Sequence, residues 1–165
     1  MRTNSTQAEH ESHGSEEVRT ARQVCTFFVG DLFFGVDVLR VQEVLCFQPM
    51  TGVPQSPGVV EGLINLRGQI VLAIDMRRRL QLTPRGPDQT PLNMVIRTDD
   101  GAVSLLVDEI GDVLDADVAA YEKPPENLDP AVRSLIRGVY KLRGRLLLLL
   151  DTEKTVDLSV GRAPQ

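Results

Sequence analysis

Two stretches of the chain, Gly62–Asp75 (GLINLRGQIVLAID) and Gly138–Asp151 (GVYKLRGRLLLLLD), repeat one design 76 residues apart, with 6 of 14 positions identical. In each, an apolar run meets a Leu-Arg-Gly corner and a second apolar run closes on Asp. Glycine tolerates positive φ at such a corner because it has no Cβ to clash, and the flanking branched residues suit a pleated surface. Each stretch therefore reads as a β-hairpin, and a repeat of this length predicts two copies of one β unit.

The parts around the hairpins recur in the same order. QVCTFFV (23–29), a Gly30-Asp31 turn and LFFGVDV (32–38) predict an opening hairpin, as do LNMVIRT (92–98), Asp99-Asp100-Gly101 and AVSLLVD (102–108). The doublets Phe27-Phe28 and Phe33-Phe34 place one ring on each strand face, so two buried faces are expected. VDEIGDVL (107–114) echoes VDVLRVQEVL (36–45) with two residues fewer, and a Pro/Gly-marked crossover follows each. TPRGPDQTP (83–91), with its three prolines, is expected to be an exposed connector, DPAVRSLIRG (129–138) to hold a helical turn, and TEKTVDL (152–158) a short helix. Short strands at this spacing predict a mainly β fold of two five-stranded barrels. The lobes are expected at about 23–82 and 92–158 within a domain spanning 22–161, with Leu72 and Leu148 buried. Residues 1–21, polar and nearly without large apolar groups, are expected to be a disordered tail, and 162–165 a short C-terminal one.

Composition narrows the chemistry. A net charge of −5 disfavours broad contact with nucleic acid or an anionic membrane. The longest aliphatic run, Leu146–Leu150, is far short of the roughly 20 residues that cross a bilayer, and no signal-peptide core is present, so a cytoplasmic protein is expected. Cys25 and Cys46 read as reduced thiols, and His10 and His13 as tail residues, so no metal or cofactor is expected. Phosphate-binding, serine-hydrolase and zinc-protease motifs are absent. One enzymatic reading remains, an acid hydrolase using Asp75 and Asp151 as an aspartic-protease dyad. The tripeptides Asp75-Met76-Arg77 and Asp151-Thr152-Glu153 lack that class's glycine, and each Asp is better placed to cap a short helix.

Together VDVLRVQEVL, GLINLRGQIVLAIDMR, Val107-Asp108 with its following DVL, and the closing LRG…LLLLD resemble the CheW family of bacterial chemotaxis coupling proteins, over about residues 22–160. Leu72 stands where the family usually has Pro, and Ser104 where it usually has Gly. The resemblance implies two Src-homology-3-like barrels and a scaffold without catalytic activity. It implies partners too: methyl-accepting chemoreceptor tips and the regulatory domain of the histidine kinase CheA. Receptor binding is implied for Val41, Glu43, Arg67, Met94 and Val113, around the turn motif Asn65, Leu66 and Gly68. An adaptor of a related motility or developmental pathway is the alternative within the family. Arg143, the counterpart of Arg67 in the second hairpin, has no implied role and serves as its control.

Overall fold

The computed structural model describes residues 21–161. Ala21, expected in the tail, already belongs to the first strand; the rest of that tail and residues 162–165 lie outside the described residues.

Among the described residues there are eleven strands. They are β1 (Ala21–Val29), β2 (Leu32–Asp37), β3 (Val41–Leu45), β4 (Val60–Leu66), β5 (Gln69–Asp75), β6 (Leu92–Thr98), β7 (Gly101–Val107), β8 (Glu109–Asp117), β9 (Tyr121–Glu122), β10 (Ile136–Leu142) and β11 (Arg145–Leu150). The described residues also hold three short helices, α1 (Met76–Arg79), α2 (Pro130–Arg133) and, after the last strand, α3 (Thr152–Val156). One sheet runs β8-β1-β2-β11-β10-β9 and the other β3-β6-β7-β5-β4.

That order corrects the expected lobes. The opening hairpin of each copy is inserted into the sheet of the other: β1-β2 sits between β8 and β11, while β6-β7 sits between β3 and β5. Each insertion ends on a parallel pair, β2 with β11 and β5 with β7. The reason lies in the phenylalanine doublets. Phe27 stacks on Phe34 at 5.3 Å in a core shared by both sheets, and Phe28 meets Phe33 at 4.8 Å inside the first sheet's own core. Placed centrally in a sheet, with one face toward that sheet's own core and the other toward the neighbouring sheet, a hairpin apolar on both faces buries both.

The repeated glycines have a second use. Each sheet bends where its hairpin begins, with register shifts at Val60/Gly62 and Ile136/Gly138. There the crossover chain returns to pair with the edge: Thr51 bridges Leu63, with both hydrogen bonds made (2.9 and 2.8 Å), and β9 pairs with β10. A Cβ at Gly62 would stand 2.6 Å from the Thr51 carbonyl oxygen, and one at Gly138 would stand 2.5 Å from that of Glu122 and against the Tyr121 ring. Only glycine admits so close a backbone.

The register also revises the sequence echo. Phe34 and Val103 pair with the matching residues Leu148 and Leu72, Phe27 and Ile96 face them, and Val41 and Ile110 lie next in line. Each of the pairs Phe34/Val103, Phe27/Ile96 and Val41/Ile110 is separated by 69 residues, so the copies align here without the two-residue gap. Leu39, not Asp37, is the counterpart of Asp108. Leu148 is buried as expected, whereas Leu72 is only half-buried.

Candidate functional site

The polar end of the β4–β5 hairpin is built by local rules. Arg67 (φ 52°) and Gly68 (φ 86°) both occupy the left-handed region, the pattern of a mirror-image two-residue turn whose twist matches the strands. Positive φ is uncommon for a residue with a Cβ, and Asn65 supports it here: its Oδ1 accepts the Gly68 N–H at 2.9 Å. Leu66 closes the ladder against Gln69. In the second hairpin only Gly144 (φ 79°) of the Arg143-Gly144 pair has positive φ, and Lys141 stands in place of Asn65. The two arginines therefore do not share one geometry, contrary to expectation.

Tertiary structure then brings Arg67 to β3. Its Nη2 donates to Glu43 Oε2 at 2.8 Å, with the arginine side chain 80% exposed and the glutamate 17%. Glu43 Oε1 is buried and has no hydrogen-bond partner, so a single arm of Arg67 holds this carboxylate. Val41 lies half-buried on the same edge strand, positioned by a 3-10 turn at Val38–Arg40 that Asp37 caps by accepting the Leu39 N–H at 2.9 Å. Val113 is apart from this group, 56% exposed on β8, the edge of the other sheet. Met94 is fully buried behind β3, paired with Val44, so its side chain is core and offers no surface to a partner. Sequence reasoning missed Val44 (43% exposed) and Ile70 (62% exposed), apolar residues on β3 and β5. Ile70 is the second residue of β5, just past a turn, and that position was the available signal.

A second polar cluster ties the two sheets together. Asp108, at the end of β7, accepts from Arg77 Nη2 (2.8 Å), from Arg85 Nε (2.9 Å) and from the Gly30 N–H (2.6 Å) in the β1–β2 turn of the other sheet. Burial alone would raise the Asp108 pKa, but the hydrogen bonds from Arg77 and Gly30 and the nearby Arg85 outweigh it and hold the carboxyl below the usual carboxylate range. The same Asp108 hydrogen bond holds the Arg77 guanidinium above its ordinary value. Arg85 goes on to Asp75 Oδ1 at 3.0 Å and the Leu106 carbonyl at 3.1 Å. Arg85 belongs to the stretch expected to be an exposed connector, yet its side chain is only 9% exposed.

Asp75 and Asp151 both cap helices. Asp75 accepts the Arg77 N–H at 3.0 Å and Asp151 the Lys154 N–H at 3.1 Å. They stand at the ends of different sheets and pair with different arginines, Asp75 with Arg85 and Asp151 with Arg137. Among the described residues no His/Cys/Asp/Glu group could hold a metal ion, and Cys25 and Cys46 are free thiols. Burial, with a smaller push from Asp37, raises the Cys25 thiol. No helix among the described residues is long and apolar enough to cross a membrane.

Two small interlocked β-sheets round a shared core, joined by few short helices, define the class of fold. The family model for the CheW-like domain matches residues 23–159, and the chain belongs to that family. It is 31% identical over 132 residues to a probable chemotaxis protein CheW of Rhizobium etli, covering 80% of this chain and 85% of the relative. Identity to the chemotaxis protein CheW of Klebsiella aerogenes is 30% over 131 residues, 79% of each chain. Its fold is similar to that of the scaffolding protein TtCheW from Thermoanaerobacter tengcongensis, with a TM-score of 0.76 at 23% identity over 84% of this chain and 94% of that one.

Proposed function

We propose that this chain is a non-catalytic chemotaxis adaptor that couples methyl-accepting chemoreceptors to the histidine kinase CheA. It works in the cytoplasm and is recruited to receptor arrays through its partners. Family membership supports the class of function, since the relatives are chemotaxis proteins and the similar solved structure is a scaffold. The observation that carries the receptor face is the Glu43–Arg67 pair, in which residues 24 apart in sequence meet on one exposed rim beside Val41. Arginine presents a flat fork of donors that suits carboxylates or carbonyls on a receptor helix, and its rim position favours specificity over raw affinity. Val113 extends the contact to the other sheet, that of β8. Met94 acts from beneath, by supporting β3.

Arg67→Glu alone would set two carboxylates together, so the test uses a charge swap. Arg67→Glu should weaken binding of a receptor signalling fragment more than about tenfold, roughly 1.4 kcal/mol, while binding to the kinase regulatory domain persists. The double variant Glu43→Arg/Arg67→Glu restores the internal pair, and receptor binding should stay weak. Full rescue by the swap would show that the pair serves only the fold.

A further inference from the structure

The two edges of the five-stranded sheet, β3 and β4, lie at opposite ends of its strand order, yet Glu43 of β3 meets Arg67 just past β4. Two ties close that gap. One is the ion pair itself. The other is the chain from Cys46 to Thr51, which leaves β3 and bridges to Leu63 on β4. Cys46 lies beyond the last β3–β6 pair, Leu45 with Asn93, so no ladder holds that end of the tie. The Asn93 side chain holds it instead: it is fully buried, and its Nδ2 donates to the Cys46 carbonyl at 3.2 Å. Its Oδ1 accepts from the equally buried Ser104 hydroxyl of β7 at 3.0 Å. That hydroxyl decides which end of the amide faces Cys46, because a flipped amide would set two acceptor oxygens against each other.

The matching places in the other sheet, 69 residues earlier, hold Val24 and Gly35. There the edge strand β8 keeps pairing past Leu114–Val24, through Asp115, Ala116 and Asp117, so the ladder itself holds it. The ladder of β3 stops at the equivalent pair. The polar residues thus stand where a ladder is missing, and Ser104 stands where the family usually has Gly. Burying them carries a desolvation cost that Val and Gly avoid, and their hydrogen bonds offset it. We infer that Asn93 and Ser104 are positioning residues for the receptor rim. They fix where β3 leaves its sheet, and so the gap across which Glu43 meets Arg67. Glu43 sits two residues before Leu45 and is held by one arm of Arg67, its Oε1 being unpartnered, so a displaced end of β3 reaches the pair directly. From the adaptor reading the inference takes only that this rim binds a receptor.

The test compares the full chain with Asn93→Val/Ser104→Gly, which installs the pair found in the other sheet, and with Ser104→Ala, which removes the hydroxyl alone. The double variant should keep an unfolding midpoint close to wild type, because both polar partners go together. In the free chain, its β3 amides that pair with β6 should exchange with solvent about tenfold faster, as an easier local opening requires, while those of β8 keep the wild-type rate. Binding of a receptor signalling fragment should weaken about fivefold, the worth of one hydrogen bond, and binding to the kinase regulatory domain should persist. Ser104→Ala should show the same exchange and binding changes with a lower midpoint, since it leaves Asn93 Oδ1 buried without a donor. If the β3 amides of the double variant exchange as in wild type, the inference is overturned. Faster exchange with unchanged receptor binding overturns it too, because the strand end then moves without reaching the rim. Loss of receptor and kinase binding in step with the midpoint would reduce the pair to core stability. If wild type itself fails to bind the fragment, the adaptor reading falls and the free chain decides alone: β3 amides that quicken support the inference, and amides that do not overturn it.

Discussion

The row Leu148–Phe34–Phe27–Ile110 of one sheet and the row Leu72–Val103–Ile96–Val41 of the other occupy matching places in a repeated fold. Leu148, Phe34 and Phe27 of the first are buried and Ile110 half-buried, whereas in the second only Ile96 is buried. Phe27 and Phe34 stand where the other copy has Ile96 and Val103, so the first row carries the larger side chains. The repeat thus supplies two matching rows, and the one with the larger side chains is the more deeply buried.

The largest expected effect is on this asymmetry. Leu148→Ala should cost about 2–5 kcal/mol, the range for emptying a packed core site, whereas Leu72→Ala, already half-exposed, should cost roughly 1 kcal/mol. Chemical denaturation of both variants measures the contrast, and equal losses would show that the two rows are energetically alike. The glycine pair comes next. Gly138→Ala should destabilise by about 1–3 kcal/mol and more than Gly62→Ala, because a Cβ there meets a ring as well as a carbonyl.

Asp108→Asn should have an effect of similar size, about 1.5–3 kcal/mol near neutral pH, since the carboxylate receives charge-assisted hydrogen bonds from two arginines. The carboxyl is depressed in the folded state, so its contribution is present above the ordinary carboxylate pKa of about 4 and is lost as pH falls through that value toward the folded one. The unfolding midpoint of the wild type should therefore drop more steeply on acidification than that of Asp108→Asn. Parallel curves would remove Asp108 from the acid response. Leu39, its counterpart in the other copy, is exposed, and Leu39→Ser should change stability little.

The smallest effect concerns the turns. Asn65→Ala should cost about 0.5–1.5 kcal/mol by removing the hydrogen bond that supports Arg67 at positive φ. Lys141→Ala removes only an exposed ion pair to Glu122 and should be close to neutral in the same denaturation experiment.

Much of the fold was legible from short stretches. The hairpins, their Gly68 and Gly144 corners, the capping roles of Asp75 and Asp151, and the two-faced Phe27-Phe28 and Phe33-Phe34 strands all follow from residues within a few positions of one another. The candidate site was legible in part. Val41, Glu43, Arg67 and Val113 lie where a partner can reach at least part of each, while Met94 could not be told from core, because alternation alone does not say which face of a strand lies under another sheet. Arg85 was misplaced for a similar reason: a proline-rich stretch predicts an exposed backbone but says nothing about one long side chain reaching Asp108, 23 residues on.

What the sequence determined by itself is the repeated unit: strand, corner, strand and capped helix, each held by turn geometry and hydrogen bonds between near neighbours. Only the tertiary structure decided that the opening hairpins exchange sheets, that Glu43 meets Arg67, and that one aliphatic row is less deeply buried than its match. Those outcomes depend on which arrangement buries both faces of every hairpin at once. That free energy is summed over contacts between distant segments, and no single stretch of the chain encodes it.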